Sequence, residues 1–256
     1  MNTRLDTIET QIKKAAVDIL NSQKTISLTG AGISVESGIP DFRSQGGLWS
    51  KYDPEEYAHI NAFRENPEKV WLMLREMMEL ILGAHPNPAH IALAELEHMG
   101  CLKSIITQNV DGLHQRAGSK DVIEFHGSNQ RLVCLECGNR CEAASFSLDN
   151  TPLKCPKCGS ILKPDVVFFG EPIPWEAQTR AFEEATTCDL LLVIGTSAVV
   201  YPAAGIPSVA KRNGAKVIEI NMDPSALTGS VSDYLLQGPA GTILPQIVEE
   251  IRRKKS

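Results

Sequence analysis

Two Cys-x-x-Cys pairs constrain the fold of this chain more than any other local feature. Cys134 and Cys137 form the first pair, Cys155 and Cys158 form the second, and seventeen residues separate them. Two such turns can direct four thiolates at one ion and complete the tetrahedral shell of a structural zinc. Because four thiolates leave no open position for water, this zinc would stabilise the fold without performing chemistry. A redox-active dithiol pair is the alternative.

The two segments that break the regular pattern of the chain are residues 46–83 and 128–163. The second of these lacks long apolar runs and carries both Cys pairs, which predicts a small module held by metal. The first is mostly helix-forming, and its helical spacing favours core packing by five apolar residues: Met73, Met77, Met78, Leu80 and Ile81.

The rest of the chain alternates short apolar strands with helical segments. Helical periodicity over 8–20 leads into a β-branched run at 24–29, and similar strands are predicted at 104–107, 189–194 and 216–220. Alternation of this kind predicts an α/β fold whose parallel sheet is covered by helices on both faces.

Length and charge limit the class of protein. A chain of 256 residues can hold one large domain with a small insertion. Its formal charge of -6 disfavours nucleic-acid wrapping, which needs clustered Lys and Arg. Residues 1–14 contain neither a signal-peptide core nor an apolar run of membrane-spanning length, so we expect a cytoplasmic protein without a membrane partner.

A Gly-Ala-Gly turn at 30–32 follows the first predicted strand and points to a nucleotide site. Glycines at this place let backbone amides approach a pyrophosphate at a helix N-terminus. The usual fingerprint has a third glycine where this chain has Val35, so a simple strand-to-helix turn is the alternative. The polar loop at 37–43 favours a ligand site, because Phe42 and Arg43 could cover a bound molecule.

Polar residues also follow three later predicted strands, at 108–111, 195–197 and 221–223. Open α/β sheets bind ligands at the carboxyl ends of their strands, so together these residues indicate a nucleotide lying across the sheet edge. Helix capping is the commoner role of such residues taken singly. His126 follows a possible strand at 122–125 and is a potential base, although a lone histidine is more often structural.

The motifs taken together, in order and across almost the whole chain, resemble the sirtuin family. The matching segments are 30–34, 38–43, 107–111, 113–114, 126–127, the two Cys pairs, 168–171 and 200–203. An ordered set of this kind is far more specific than any one of its members.

The resemblance implies a Rossmann-like, parallel-sheet large domain formed by residues 1–45, 84–127 and 164–256. The inserted small domain would combine a helical module at 46–83 with a zinc ribbon at 128–163. NAD and an acyl-lysine peptide would bind in the cleft between the two domains.

The resemblance also implies a role for each matching residue. His126 would be the catalytic base and Asn109 would orient ribose and water. NAD would be contacted by Gly30, Ala31, Gly32, Phe42, Arg43, Gln108, Asn109, Val110, Asp111, Thr196, Ser197, Asn221, Met222 and Ala240. The family clamps its peptide as an added strand, which here would lie between Val167, Phe169 and Gly170 on one side and Val200 and Tyr201 on the other.

The implied reaction consumes NAD and removes an acyl group from a protein lysine, giving nicotinamide, 2′-O-acyl-ADP-ribose and free lysine. Family members that prefer succinyl or malonyl groups place a Tyr and an Arg where this chain has Leu74 and Met77. An apolar wall there favours acetyl or longer neutral acyl groups. If the alignment were shifted by one residue, Arg75 would occupy one of these two acyl-binding positions.

Two other functions use the same motifs. Mono-ADP-ribosyl transfer to a protein would share the NAD site and the first step. A non-catalytic NAD-sensing module, whose zinc ribbon binds nucleic acid or protein, is disfavoured by His126 with Asn109 and Asp111, since a sensor needs no base.

Overall fold

A six-stranded parallel sheet forms the centre of the structure, a computed structural model that describes residues 7–255. Residues 1–6 and 256, which are predicted to belong to the large domain, lie outside the described residues. The strands are β1 Thr25–Thr29, β2 Ser104–Thr107, β3 Val122–Glu124, β4 Gly127–Cys134, β5 Arg140–Glu142, β6 Leu162–Val166, β7 Leu190–Ile194, β8 Lys216–Asn221 and β9 Tyr234–Gln237. The helices are α1 Ile8–Asn21, α2 Pro54–Tyr57, α3 Ile60–Glu65, α4 Pro67–Gly83, α5 Pro88–His98, α6 Leu113–Ala117, α7 Trp175–Thr187, α8 Ile206–Arg212 and α9 Ala240–Lys255.

The large sheet has the strand order β3-β2-β1-β7-β8-β9, and all of its neighbouring strands pair in parallel. Every residue of β1, β2 and β7 is buried, as expected for strands covered on both faces. One face packs against α1, α5 and α9, and the other packs against α7 and α8. The predicted α/β fold is confirmed.

A second sheet, antiparallel and three-stranded in the order β5-β4-β6, carries both Cys pairs at its end. It extends past the predicted range of 128–163, because β4 begins at Gly127 and β6 ends at Val166. These strand ends adjoin the large sheet, so the small sheet reaches the edge of the cleft described below.

The small sheet shares one apolar core with helices α3 and α4. Trp71 is buried in that core, and its indole N–H donates to the Leu162 carbonyl oxygen at 2.9 Å. Met73, Met78 and Ile81 are buried as expected, whereas Leu80 is exposed and does not contribute to the core. The helical segment and the Cys-rich segment therefore stabilise each other although they are distant in sequence.

Among the helices of residues 7–255, none is long and apolar enough to cross a membrane.

Candidate active site

The four paired cysteines converge to one point. Their Sγ atoms all lie within 4.8 Å of one another, with Cys134 and Cys158 at 3.4 Å and Cys137 and Cys155 at 3.7 Å. Tetrahedral zinc with bonds of about 2.3 Å requires sulfurs roughly 3.8 Å apart, so the cluster fits a zinc ion closely. The nearby Cys141 is not part of the cluster.

Left-handed glycines shape both turns of this cluster. Gly138 and Gly159 follow the two pairs with φ of 68° and 80°, and their amides donate to the carbonyls of Cys134 and Cys155. A side chain would be strained at either position, so the glycines allow each turn to bring its two thiolates to the same side.

A cavity of about 1150 Å³ lies where the carboxyl ends of β1, β2, β7 and β8 meet the small sheet and α4. It exceeds the usual range of about 300–1,000 Å³ for small-molecule sites, which suits a dinucleotide together with part of a second substrate. The predicted site residues that line it are Gly30, Ala31, Gly32, Phe42, Arg43, Gln108, Asn109, Val110, His126, Val167, Phe169, Gly170, Thr196, Ser197, Val200, Tyr201, Asn221, Met222 and Ala240. Asp111 does not line it.

Gly30 and Gly32 line the cavity, but their backbone amides are already paired within the sheet edge. Their amides donate to the carbonyls of Ile194 and Gly195, at 3.0 and 2.8 Å, so these two amides are not the phosphate donors that we expected. A Cβ on Gly32 would lie 2.8 Å from the Gly195 Cα, and one on Gly30 would lie 2.7 Å from the Thr196 Cβ. The glycines therefore allow two strand ends to meet closely, and the chain continues into a 3₁₀ helix, Ala31–Ser37, rather than an α-helix.

The loop predicted to cover a ligand is held by its own hydrogen bonds. The carboxylate of Asp41 accepts from the backbone amides of Arg43 and Ser44, at 3.0 and 2.8 Å. The Phe42 and Trp49 rings lie 5.1 Å apart, and Trp49 lies 6.4 Å from the Phe169 ring. Trp49 also lines the cavity, and sequence reasoning missed it because its place depends on contacts with Phe42 and Phe169 and not on a local motif.

His126 presents one ring nitrogen to the cleft. Its Nδ1 lies 3.1 Å from the backbone carbonyl oxygen of Gln108. Since a carbonyl can only accept, Nδ1 carries the proton and Nε2 keeps its lone pair. Burial lowers the pKa of His126, an effect that the Gln108 carbonyl opposes. The side chain is therefore a neutral base at physiological pH.

Asn109 is held by two hydrogen bonds from its amide nitrogen. The Nδ2 atom donates to the Gly30 carbonyl at 3.2 Å and to the Ser34 Oγ at 3.0 Å. Ser34 in turn donates to the buried Asp111 carboxylate at 2.7 Å, which also accepts from the Leu113 amide at 2.9 Å. Asp111 thus lies behind the cleft wall and orients Asn109 through Ser34.

Two buried histidines that the sequence pattern does not single out, His90 and His114, complete this polar layer. Their rings lie 4.9 Å apart, and His114 Nε2 is 3.0 Å from the Thr29 hydroxyl. Burial lowers the pKa of His90 to about 4 and that of His114 to about 3, so both are neutral. One local signal for His90 exists in the sequence, since it completes a capping box with Asn87 at the start of α5.

The peptide edge predicted around Phe169 is already partly paired. The Phe169 amide donates to the Ala58 carbonyl at 2.9 Å, and its carbonyl accepts from the Ile60 amide at 3.0 Å. The Phe169 amide is therefore not available to an added strand, whereas its carbonyl oxygen keeps a second lone pair, and a contact of Phe169 with the peptide stays a prediction. Gly170 has a φ of 83°, and a Cβ there would lie 2.9 Å from the His59 ring, so the close approach of the two segments requires glycine.

The opposite end of the cleft is formed by β8 and the start of α9. Asn221 Nδ2 donates to the Thr196 carbonyl at 2.9 Å, and the Gly238 amide donates to the Asn221 carbonyl at 2.9 Å. The Glu36 carboxylate accepts from the Gly241 amide at 2.8 Å and so caps α9. These contacts join three strand ends into one polar floor.

Leu74 and Met77 of α4 line the cleft together with Met73 and Ala58. Arg75 does not line it, and its guanidinium lies 3.6 Å from the Glu79 carboxylate on the exposed side of the helix. Among the described residues that line the cavity, Arg43 is the single arginine or lysine. The wall at α4 is therefore apolar.

Comparison with known proteins agrees with this geometry. The model of the Sir2 family matches residues 30–202, more than half of the chain. The chain is 52% identical over 240 residues to the NAD-dependent protein deacylase of Pyrococcus furiosus, covering 92% of this chain and 96% of that protein. It is 51% identical over 236 residues to NAD-dependent protein deacylase 2 of Pyrobaculum aerophilum, covering 92% and 94%.

Solved structures give the same result. A Sir2 homologue in complex with NAD has a TM-score of 0.89 at 46% identity, covering 95% of each chain. A Sir2 protein bound to a myristoylated histone peptide has a TM-score of 0.82 at 42% identity, covering 96% of this chain and 98% of the other. The likeness in sequence and fold extends over both sheets and the cleft, and the chain belongs to the Sir2 family.

Proposed function

We propose that the protein removes acyl groups from protein lysines in a reaction that consumes NAD. The observation that carries the proposal is the cleft itself, in which the neutral imidazole of His126 meets the polar ends of four parallel strands and an apolar wall. Relatives that are about half identical to this chain are named NAD-dependent protein deacylases, which supports the same activity here.

NAD would lie along the carboxyl ends of the strands. Its adenosine half would meet Thr196, Ser197, Asn221, Met222 and Ala240. Gln108, Asn109 and Val110 would hold the nicotinamide half, and Ala31, Phe42 and Arg43 would cover it. Arg43 would supply the positive charge for the phosphates, while Asp111 would act by fixing Ser34 and Asn109.

When NAD is bound, it supplies an electrophilic ribose carbon whose nicotinamide can leave. The Nε2 atom of His126 would take up a proton that the ribose hydroxyls release, because its lone pair is free and its lowered pKa keeps the ring unprotonated beforehand. The Gln108 carbonyl keeps the ring oriented throughout. Asn109, fixed by Gly30 and Ser34, orients the reacting groups without contributing charge.

The acyl-lysine would enter between the 167–170 and 200–201 segments, with its acyl chain against Leu74 and Met77. Because the Phe169 amide is paired with Ala58, the amides that pair with the peptide would come from the neighbouring residues of that edge. We further assign residues 46–83 and 128–163 to one small domain, since they share a core. Reduced zinc-binding thiols favour a cytoplasmic location.

The test is to incubate the purified protein with NAD and an acetyl-lysine peptide. We expect free nicotinamide and deacylated peptide in equal amounts, both dependent on NAD. Release of nicotinamide with ADP-ribose attached to protein would support mono-ADP-ribosyl transfer instead. NAD binding without any turnover would support a sensing module. The His126→Ala protein is the control for nicotinamide released by contaminants.

A further inference from the structure

Glu219 is a fully buried carboxylate in the middle of β8, and the proposed chemistry gives it no role. Its relative exposure is 0%, although it lies two residues before Asn221 at the cleft. Burial of a carboxylate is costly unless strong hydrogen bonds replace the lost water. Its position therefore requires a compensating set of donors.

Three hydroxyl groups, all from the loop at 225–232, supply those donors. Thr228 Oγ1 donates to Oε1 at 2.8 Å, Ser232 Oγ donates to the same oxygen at 2.5 Å, and Ser225 Oγ donates to Oε2. Hydrogen bonds to a charged acceptor are stronger than those between neutral groups. One carboxylate thus holds three points of a loop that has no strand or α-helix of its own.

The carboxylate also sets the direction of the surrounding hydrogen bonds. The Ser225 and Thr228 hydroxyls use their protons to donate to Glu219. Their oxygens then accept from the backbone, with Leu227 N donating to Ser225 Oγ at 3.1 Å and Ser225 N donating to Thr228 Oγ1 at 3.0 Å. The backbone of the loop is therefore fixed through the polarity of Glu219.

This loop is continuous with one wall of the cleft. Residues 221–224 line the cavity and lead directly into Ser225. The Ala226 amide also donates to the carbonyl of Ser197, at 3.4 Å, and Ser197 lines the cavity as well. An anchor at Ser225 thus fixes two separate segments that the proposed function assigns to the adenosine half of NAD.

We infer that Glu219 is a positioning residue that pre-orders the adenosine end of the NAD site. It does not touch the ligand, and it acts by fixing 221–224 and Ser197 before NAD arrives. Pre-ordering lowers the conformational entropy lost on binding. The inference rests on the proposed function, and it locates the effect of Glu219 in NAD affinity rather than in the chemical step or in peptide binding.

The test is Glu219→Gln, which keeps the size of the side chain but replaces one carboxylate oxygen with an NH₂ group that has two N–H donors. A hydroxyl that faces this nitrogen loses its acceptor, because an amide N–H cannot accept, so at least one of the three contacts to the loop is lost or reversed. We expect the KM for NAD and the Kd for ADP-ribose each to rise about tenfold. The kcat at saturating NAD and the KM for the acyl peptide should change by less than about twofold.

Loop variants extend the test in case Glu219→Gln does not fold. Thr228→Val and Ser232→Ala each remove one donor to Glu219 and should raise the KM for NAD in the same direction. Ser230→Ala is the matched control, because its hydroxyl lies near the carbonyls of Ala226 and Leu227 and not near Glu219. The control should leave the KM for NAD unchanged.

Two results would overturn the inference. One is an unchanged KM for NAD in the folded Glu219→Gln protein. If that protein does not fold, an unchanged KM for NAD in both Thr228→Val and Ser232→Ala has the same meaning. The other is a parallel loss of NAD affinity, peptide affinity and kcat, which would indicate general destabilisation. Failure of the proposed function looks different, since the unmodified protein would then release neither nicotinamide nor deacylated peptide.

Discussion

At the scale of single residues, His126 depends on a backbone carbonyl for its chemical role. The Gln108 oxygen fixes the proton on Nδ1 and so leaves Nε2 as the basic atom. We predict that His126→Ala lowers deacylation by about 10²–10⁴-fold, as expected for a lost general base. NAD affinity and the thermal midpoint should stay near their original values. Exposed His98 supplies the control His98→Ala, and near-normal turnover of a folded His126→Ala protein would contradict the assignment.

Burial of the same imidazole predicts the pH dependence of the reaction. His126 acts when it is neutral, and burial holds its pKa below the usual value. The active form therefore persists as pH falls through about 6.5, the unperturbed value, and is lost only at lower pH. Measurement of kcat/KM for the acyl peptide between pH 5 and 8 checks this. An acid limb with its midpoint above about 6.5 would contradict the lowered pKa.

At the scale of structural elements, the zinc cluster ties the small sheet together. We predict that Cys155→Ser releases zinc and lowers the thermal midpoint, because metal binding is coupled to folding in such modules. Activity should fall as a secondary result, while the parallel sheet retains its circular dichroism. Cys141→Ser is the matched control from the same sheet, since Cys141 lies outside the cluster. Active protein that contains no zinc would disprove a zinc site here.

The strands and motifs that have a local signal in the sequence could be predicted correctly from it. The strand at 104–107 is recovered with both ends correct, and the Cys pairs converge as their spacing indicates. The pairing of the Gly32 and Phe169 amides could not be predicted, because each depends on a contact with a distant segment, Gly195 in one case and Ala58 in the other. Spacing along the chain carries no information about such contacts.

At the scale of the whole molecule, the cleft exists because parts far apart in sequence are held together. Its polar floor comes from strand ends of the large sheet, and its apolar wall comes from α4, which the small sheet supports through Trp71. Neither part alone could orient NAD and an acyl chain at the same time. The choice of acyl group therefore depends on how α4 presents its side chains to the floor.

Leu74 and Met77 face the cleft without a cation beside them, so neutral acyl groups should be preferred. A buried methylene contributes up to about 0.8 kcal/mol, whereas an unpaired succinyl carboxylate loses hydration without compensation. We predict that kcat/KM for succinyl-lysine is lower than for acetyl-lysine by at least about two orders of magnitude. The double variant Leu74→Tyr with Met77→Arg should raise kcat/KM for succinyl-lysine relative to acetyl-lysine. The control Arg75→Met should leave this preference unchanged, since Arg75 pairs with Glu79 outside the cleft. Equal kcat/KM values of the unmodified protein for succinyl-lysine and acetyl-lysine peptides would contradict this preference. They would mean that a cation reaches the acyl group, and Arg43 is the one lysine or arginine among the described lining residues.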